Sequence, residues 1–268
     1  MKNNIEFQYK GFLKTHNLWS NSDVFELEQF QFETKLFSIE NHSRFKEIRL
    51  GKRVEEFISH QLKNSENTDV KAENIQIKND KITIGELDFI LKDKSKCIHL
   101  EVIYKFYLYD PNVNGDELSK WIGPNQKDRL VYKLQKLRDK QLPLLYSNHC
   151  RDALETFNIQ TEDISQQVSY KAQLFLPFES HIKDISPLNY DCISGFYLSF
   201  NKIELFKSFN FYIPNKLNWL VEPYYEVDWI DFIEAKRIIK DCMNKERSPM
   251  VWLKNSNNNL QKCFITFW

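Results

Sequence analysis

Polar and apolar residues alternate most regularly between residues 81 and 109, and this pattern predicts a β-hairpin. β-Branched and aromatic residues dominate residues 81–91 and 97–109, and residues 92–96 form a short charged connection between them. Successive side chains of a strand point to opposite faces, so Glu101 and Lys105 are expected to share one face while the other packs in the core. The sequence thus predicts a hairpin with one polar face.

Apolar residues at helical spacing occur on both sides of this hairpin. Residues 42–63, 126–141 and 228–244 each carry an apolar stripe with a period of three to four residues. In the first of these helices, Gly51 and Glu55 are four residues apart and share a face, and the glycine indicates close packing against another backbone. Glu55 by itself is also consistent with an ordinary surface glutamate.

Shorter alternating runs predict the remaining strands. These lie at residues 74–77, 170–178, 193–205, 209–214, 250–254 and 261–268, of which the last two flank a polar turn and form a terminal hairpin. Residues 4–35 are aromatic-rich without a regular period, and we expect them to wrap the core as an irregular segment. No internal repeat interrupts this order.

The composition is that of a folded protein with no net charge. Of 268 residues, 42% are hydrophobic and 15% aromatic, which is enough for a sizeable core. Because 37 basic residues balance 37 acidic ones, any nucleic-acid contact must come from a local patch. Five scattered cysteines argue against a zinc site or a disulfide framework. Without a signal peptide or an apolar run of bilayer length, the expected setting is cytoplasmic, with no membrane contact.

Two acidic residues and a lysine make the hairpin chemically distinctive. Asp88 and Glu101 can meet across the hairpin, and two carboxylates beside a lysine form an oxygen-lined site for a divalent cation. The ammonium group of Lys105 would then be left to contact a phosphate or a water molecule. Alternatively, the acid and the lysine form a solvated cross-strand ion pair, which any half-exposed antiparallel hairpin can carry.

The second predicted helix is the most basic segment of the chain. Residues 120–140 contain seven basic side chains against two acidic ones. Such a patch attracts a phosphate backbone, although an ordinary solvated helix face has the same composition.

The order of elements, αβββα followed by β, with Asp88 ending one strand and Glu101 inside the next, resembles the PD-(D/E)XK nuclease superfamily. Several short sequence motifs within residues 49–145 resemble, more specifically, an uncharacterised bacterial family, a domain of unknown function grouped with that superfamily. These motifs are Arg49-Leu-Gly-x-x-x-Glu55, Gly85-Glu-Leu-Asp-Phe89, His99-Leu-Glu-x-x-x-Lys-Phe-Tyr-Leu108, Gly123-Pro-Asn-Gln-Lys-Asp-Arg-Leu130 and Lys140-Gln-Leu-Pro-Leu144.

The resemblance implies an α/β (α+β) fold with a PD-(D/E)XK-like αβββαβ core, in which helices flank a mixed central sheet. We expect this core to span residues 41–180, after an N-terminal wrapping segment at residues 1–40. A β-rich C-terminal extension at residues 181–268 is expected to pack on the core.

The resemblance also assigns roles to individual residues. It implies Asp88 and Glu101 as ligands of Mg²⁺ or Mn²⁺, Glu55 as a further catalytic acid, and Lys105 as the lysine that orients or activates the attacking water. The superfamily lysine usually follows the acid by two residues, where this chain has Ile103, and Leu87 replaces the proline of the motif. Side chains for substrate binding are expected at Gln126, Lys127, Arg129 and Lys133.

Two functions are compatible with these features. The first is metal-dependent hydrolysis of phosphodiester bonds in nucleic acid, with DNA favoured over RNA. The second is a nuclease-fold module without chemistry that binds nucleic acid or protein. Metal binding separates them, because the enzyme requires a cation and the module does not.

Overall fold

A computed structural model describes residues 5–20, 24–32, 35–39, 49–93, 96–155, 157, 159 and 164–268. Its α-helices are α1 (Ile5–Lys14), α2 (Leu50–Lys63), α3 (Leu130–Lys136), α4 (Asn148–Glu155) and α5 (Phe232–Met243). Its strands are β1 (Thr68–Asn79), β2 (Ile82–Asp93), β3 (Lys96–Tyr109), β4 (Trp121–Ile122), β5 (Ile164–Pro177), β6 (Ile193–Ser199), β7 (Asn210–Tyr212), β8 (Met250–Lys254) and β9 (Leu260–Thr266). Short 3₁₀ segments connect several of these elements.

The nine strands of the described residues form one mixed sheet. Its order is β1-β2-β3-β5-β6-β9-β8-β7, and β4 pairs with β3. The β1–β2, β2–β3, β7–β8 and β8–β9 pairs are antiparallel, whereas β5–β6 and β6–β9 are parallel. The expected α+β class with a mixed sheet is confirmed.

The strands and the helices predicted from the sequence are confirmed in part. The predicted strand at residues 193–205 is a strand only over Ile193–Ser199 and continues as a 3₁₀ segment, Phe200–Phe206, and the one at 209–214 is a strand only over Asn210–Tyr212. Strands β2 and β3 form the predicted hairpin, and β8 and β9 form the terminal one. Helix α2 begins at Leu50, and residues 42–48 of the longer predicted helix lie outside the described residues. The predicted helix at 126–141 is α-helical only over α3 and continues as a π-helical turn, Leu137–Gln141. A 3₁₀ segment with Pro143 in its first turn follows.

Three local expectations are wrong. The alternative of a solvated ion pair between Glu101 and Lys105 is wrong, because His99 and Glu101 are 0% and 1% exposed within a central strand that is buried on both faces. Among the described residues, no atom lies within 4 Å of the place of a β-carbon on Gly51, so none of their backbone packs against it. The segment 4–35 is not irregular throughout, since residues 5–14 form helix α1.

Contacts divide the chain into two compact units. The hairpin unit comprises Asn17–Tyr104 and Tyr132–Lys171, and the C-terminal unit comprises Met1–His16, Lys105–Val131 and Ala172–Trp268. The predicted division at residues 40 and 180 stays a prediction. Each unit has its own core. The hairpin unit buries Ile75, Ile77, Leu87, Leu145 and Leu154 together, and the C-terminal unit buries Phe211, Ile239, Val251, Leu253 and Ile265.

Two helical glycines make a matched test of backbone packing. A β-carbon on Gly11 of α1 would lie 1.9 Å from the carbonyl oxygen of Leu220, whereas one on Gly51 of α2 would have no atom of a described residue within 4 Å. We therefore expect Gly11→Ala to lower the free energy of unfolding by about 1–3 kcal/mol through overpacking. Gly51→Ala should leave it unchanged or raise it by up to ~1 kcal/mol. Urea denaturation of both variants measures this, and equal effects would contradict the packing of α1.

Candidate functional site

Asp88 lies where the pairing of β2 with β3 ends. The β1–β2 register is unchanged from Glu73–Phe89 to Ile75–Leu87, whereas the β2–β3 register ends at Phe89–Leu100. Asn74 has a φ of 55°, in the left-handed region that asparagine tolerates better than most residues. Beyond the end of the β2–β3 ladder, Asp88 Oδ2 accepts a hydrogen bond from the N–H of Val102 at 2.8 Å. A side-chain carboxylate thus replaces a backbone acceptor in the sheet.

Three carboxylates converge next to the end of the β2–β3 ladder. Oxygen atoms of Glu55, Glu86 and Asp88 all lie within 4.8 Å of one another, and all three residues are half-buried. Glu86 and Asp88 are two residues apart on β2 and therefore share a face. Glu55 reaches them from α2, which is joined to β1 by a bond from Ser59 Oγ to Glu73 Oε2 at 2.6 Å. We call Glu55, Glu86 and Asp88 the acidic cluster.

The spacing of the acidic cluster fits a divalent cation. Two oxygen ligands of one ion lie at most twice the metal–oxygen distance apart, which is about 4.2 Å for Mg²⁺ and about 5.2 Å for Ca²⁺. The 4.8 Å spread therefore suits Ca²⁺ directly and Mg²⁺ after closing by less than ~1 Å. Half-buried carboxylates also leave room for the water ligands that Mg²⁺ retains.

The electrostatics of the cluster favour a bound cation as well. Burial raises the pKa of Asp88 well above its ordinary value, and the charge of Glu101 raises it further. The N–H of Val102 opposes this change, and the charges of Glu55 and Glu86 add to it. A cation among these oxygens would stabilise the ionised carboxylates and lower the same pKa.

Lys52 is the ammonium group that the structure places at the acidic cluster. Its Nζ donates to Glu55 Oε2 at 2.6 Å and to Asn74 Oδ1, and it lies 3.9 Å from Glu86 Oε1. Although burial by itself lowers the pKa of Lys52, the bond to Glu55 and the nearby charges leave it raised. The i, i+3 spacing from Lys52 to Glu55 on α2 was the sequence signal for this contact.

Glu101 lies next to the acidic cluster but has other partners. Its carboxylate is buried, with Oε1 3.1 Å from His99 Nε2 and Oε2 accepting Gln141 Nε2 at 2.8 Å. Lys133 Nζ donates to Gln141 Oε1 at 2.6 Å, which links a predicted phosphate-binding lysine to Glu101. Glu101 is close enough to Asp88 to raise its pKa. Its assignment as a metal ligand stays a prediction.

The hydrogen bonds around His99 define its tautomer. Gln166 Nε2 donates to the carbonyl oxygen of Leu142 at 2.6 Å, which fixes the orientation of the amide. The same nitrogen lies 3.1 Å from His99 Nδ1, so Nδ1 is the acceptor of that contact. His99 therefore carries its proton on Nε2 and donates it to Glu101. Gln141 and Gln166 were missed because they come from distant parts of the chain.

The other predicted site residues lie in the C-terminal unit. Lys105 Nζ donates to Asp128 Oδ2, and both side chains are about one-third exposed. Gln126 and Lys127 are exposed, and Gln126 has a φ of 58°, while Arg129 is half-buried. The roles of these residues in catalysis and in binding stay predictions.

Comparisons with known proteins give one match. A family model described as "Domain of unknown function (DUF1853)" matches residues 25–263. No curated protein and no solved structure matches the chain. Among the helices of the described residues, none has both the length and the apolar character that crossing a bilayer requires.

The raised pKa of Asp88 predicts a pH-dependent effect on stability. A carboxyl group whose pKa is raised in the folded protein stabilises the fold when protonated, and this contribution is lost as the pH rises through that pKa. Asp88→Asn keeps an acceptor for Val102 without the charge. Without metal at pH 7, we expect this variant to be more stable than the wild type by about 1 kcal/mol or more. The gain should vanish toward pH 4.

Urea denaturation in EDTA at the two pH values measures this difference. Asp80→Asn is the control, because Asp80 is an exposed residue of the β1–β2 turn and its substitution should change little. A less stable Asp88→Asn protein at pH 7 would contradict the electrostatic account of the site.

Proposed function

The chain belongs to the family described as "Domain of unknown function (DUF1853)", and we propose that it hydrolyses phosphodiester bonds in nucleic acid with a divalent cation. The family description states no activity, so the proposal is based on the site. The observation that carries the proposal is the convergence of Glu55, Glu86 and Asp88 next to the end of the β2–β3 ladder. Hard oxygen ligands on two neighbouring elements are what Mg²⁺ or Mn²⁺ sites in phosphoryl-transfer enzymes use.

The acidic cluster would hold the cation, and the surrounding residues would hold the cluster. A bound cation supplies a water of lowered pKa and stabilises charge that develops on the phosphate. The N–H of Val102 fixes one oxygen of Asp88, and Lys52 fixes Glu55. Glu101, held by His99 and Gln141, keeps a further negative charge beside Asp88. Outer contacts of this kind orient the ligands of a metal site.

The order of elements supports a PD-(D/E)XK-type enzyme. Helix α2 is followed by the antiparallel strands β1, β2 and β3, then by α3, and later by β5. Asp88 lies in the second of these strands and Glu101 in the third, although Asp88 is inside β2 and does not end that strand as expected. Exposed basic side chains between residues 120 and 140 support nucleic acid as the substrate, with DNA as the first choice.

A second candidate is a binding module without chemistry. It is favoured by Lys105, whose ammonium is engaged by Asp128, and by Ile103 at the place where the superfamily usually has its lysine. Such a protein would bind nucleic acid or protein without cutting it.

Cleavage assays separate the two functions. We expect the wild type to cleave plasmid or single-stranded DNA with Mg²⁺ or Mn²⁺. The variants Asp88→Asn and Glu86→Gln should cleave at least about a hundredfold more slowly, because even residues that only orient metal ligands contribute ten- to a hundredfold. Glu66→Gln, an exposed residue of the same unit, is the matched control and should retain full activity. Binding without cleavage by the wild type under both metals would favour the module.

The lysine assignment has its own prediction. Removal of Lys105 should abolish cleavage and leave the fold intact, because loss of a partly exposed cation changes stability by less than about 1 kcal/mol. Lys105→Ala and Lys52→Ala are compared for cleavage rate, Mn²⁺ affinity and urea stability. If only Lys52→Ala loses cleavage, Lys52 is the functional lysine and the assignment of Lys105 is wrong.

A further inference from the structure

In the C-terminal unit, three polar side chains form a row on the face of the sheet opposite to that unit's core. Tyr212 of β7 pairs with Trp252 of β8, and Trp252 pairs with Lys262 of β9, in continuous registers. Paired residues of antiparallel strands point to the same face. Their chain neighbours Phe211 and Val251 point the other way, into the core. We call Tyr212, Trp252 and Lys262 the donor row.

The ammonium group of Lys262 is buried, and its counter-charge is largely solvated. Lys262 is 3% exposed, and its Nζ donates to Gln173 Oε1 at 2.8 Å. The carboxylate of Glu222 lies 3.4 Å from the same Nζ, but 54% of the Glu222 side chain is exposed to solvent. Burial lowers the pKa of Lys262, and the charge of Glu222 opposes this effect. A buried charge without a buried partner is costly, so an anion at Lys262 would be stabilising.

Two further buried donors along this row have no acceptor among the described residues. Trp252 is 0% exposed and Asn218 is 3% exposed, and neither Trp252 Nε1 nor Asn218 Nδ2 has a hydrogen-bond partner in that part of the chain. Trp252 lies between Lys262 and Tyr212 in the row, and the side chain of Asn218 is hydrogen-bonded to Tyr212. Buried polar groups are nearly always paired. A surplus of buried donors beside one positive charge therefore indicates a ligand with negatively charged acceptor atoms.

Aromatic rings flank the donors, and the row reaches the surface at one side. The ring centroids of Tyr212 and Tyr224 lie 4.9 and 5.5 Å from that of Trp252. Both tyrosines are half-buried, and residues 221–229, which include Glu222, form neither helix nor strand. A small molecule could thus enter beneath this irregular segment and lie against aromatic rings.

We propose that the donor row binds a small monocarboxylate with an aromatic body. The carboxylate would accept hydrogen bonds from Lys262 and Trp252 and take the place of Glu222 beside the ammonium group, and the body would pack on the tyrosine rings. One buried ammonium balances one negative charge, whereas a phosphate dianion would leave a buried negative charge unpaired. The site consists of residues of the C-terminal unit alone, and it does not depend on the proposed nuclease activity.

Benzoate is the probe, and the indole N–H signal of Trp252 in ¹H–¹⁵N NMR spectra of the full chain is the readout. The chain contains 6 tryptophans, and the spectrum of Trp252→Phe assigns the signal. We expect benzoate to shift the Trp252 signal saturably. Acetate, which lacks the aromatic body, should bind more weakly, and phosphate at the same ionic strength should leave the signal in place.

Two variants change the charges at the site in opposite directions. Lys262→Met keeps the length of the side chain without its charge and should weaken benzoate binding by about tenfold or more. Glu222→Gln removes the competing carboxylate at an exposed position and should tighten binding by about two- to fivefold. Lys240→Met and Glu234→Gln are the matched controls, because both residues are exposed on α5 of the same unit, and they should bind benzoate like the wild type.

Each outcome supports or overturns the inference. It is overturned if benzoate leaves the Trp252 signal in place, if phosphate shifts that signal as strongly as benzoate, or if folded Lys262→Met binds benzoate like the wild type. Urea denaturation shows whether Lys262→Met folds. If it does not fold, Glu222→Gln decides: tighter binding supports the inference, and an unchanged or weaker affinity overturns it.

Discussion

The hydrogen bond from the Val102 N–H to Asp88 is the interaction on which the candidate site depends. It lies just beyond the last pair of the β2–β3 ladder, where an unpaired N–H group away from water would cost about 1–3 kcal/mol. The same bond holds the Asp88 carboxylate between Glu55, Glu86 and Glu101, whose charges work against its ionisation. The sheet is thus completed by a group that is electrostatically unfavourable there without a cation. This combination of fixed position and unfavourable charge is typical of sites built for a ligand.

Behind Asp88, a buried polar network holds Glu101 in one orientation. His99 and Gln141 each contact one oxygen of Glu101, and Gln166 fixes His99 in turn. Since a partly satisfied buried network is costly, the pairing of each of these groups indicates a rigid arrangement. The central strand β3 therefore contributes a negative charge of fixed position to the neighbourhood of Asp88. In a metal enzyme, such fixed charge keeps ligands oriented before the substrate arrives.

Local patterns in the sequence predicted most strands and the position of Asp88, because alternation and helical spacing depend on neighbouring residues. The burial of Glu101 was not predictable in that way, since it depends on packing against both faces of β3. Glu86 was overlooked although it lies two residues before Asp88 and shares its face. Gln141 and Gln166 could not be found, because their contacts join residues 40 and 67 positions apart. Gly51 suggested a close approach that the structure instead shows at Gly11.

The central claim is that the acidic cluster binds a divalent cation, and a direct titration with Mn²⁺ tests it. Calorimetry at pH 7 compares the wild type with Glu86→Gln, a change at the cluster residue that sequence patterns had not singled out. The account predicts one Mn²⁺ per wild-type chain and an affinity that falls by tenfold or more in Glu86→Gln. A wild-type chain that binds no Mn²⁺, or a Glu86→Gln protein that binds it equally well, would contradict the account.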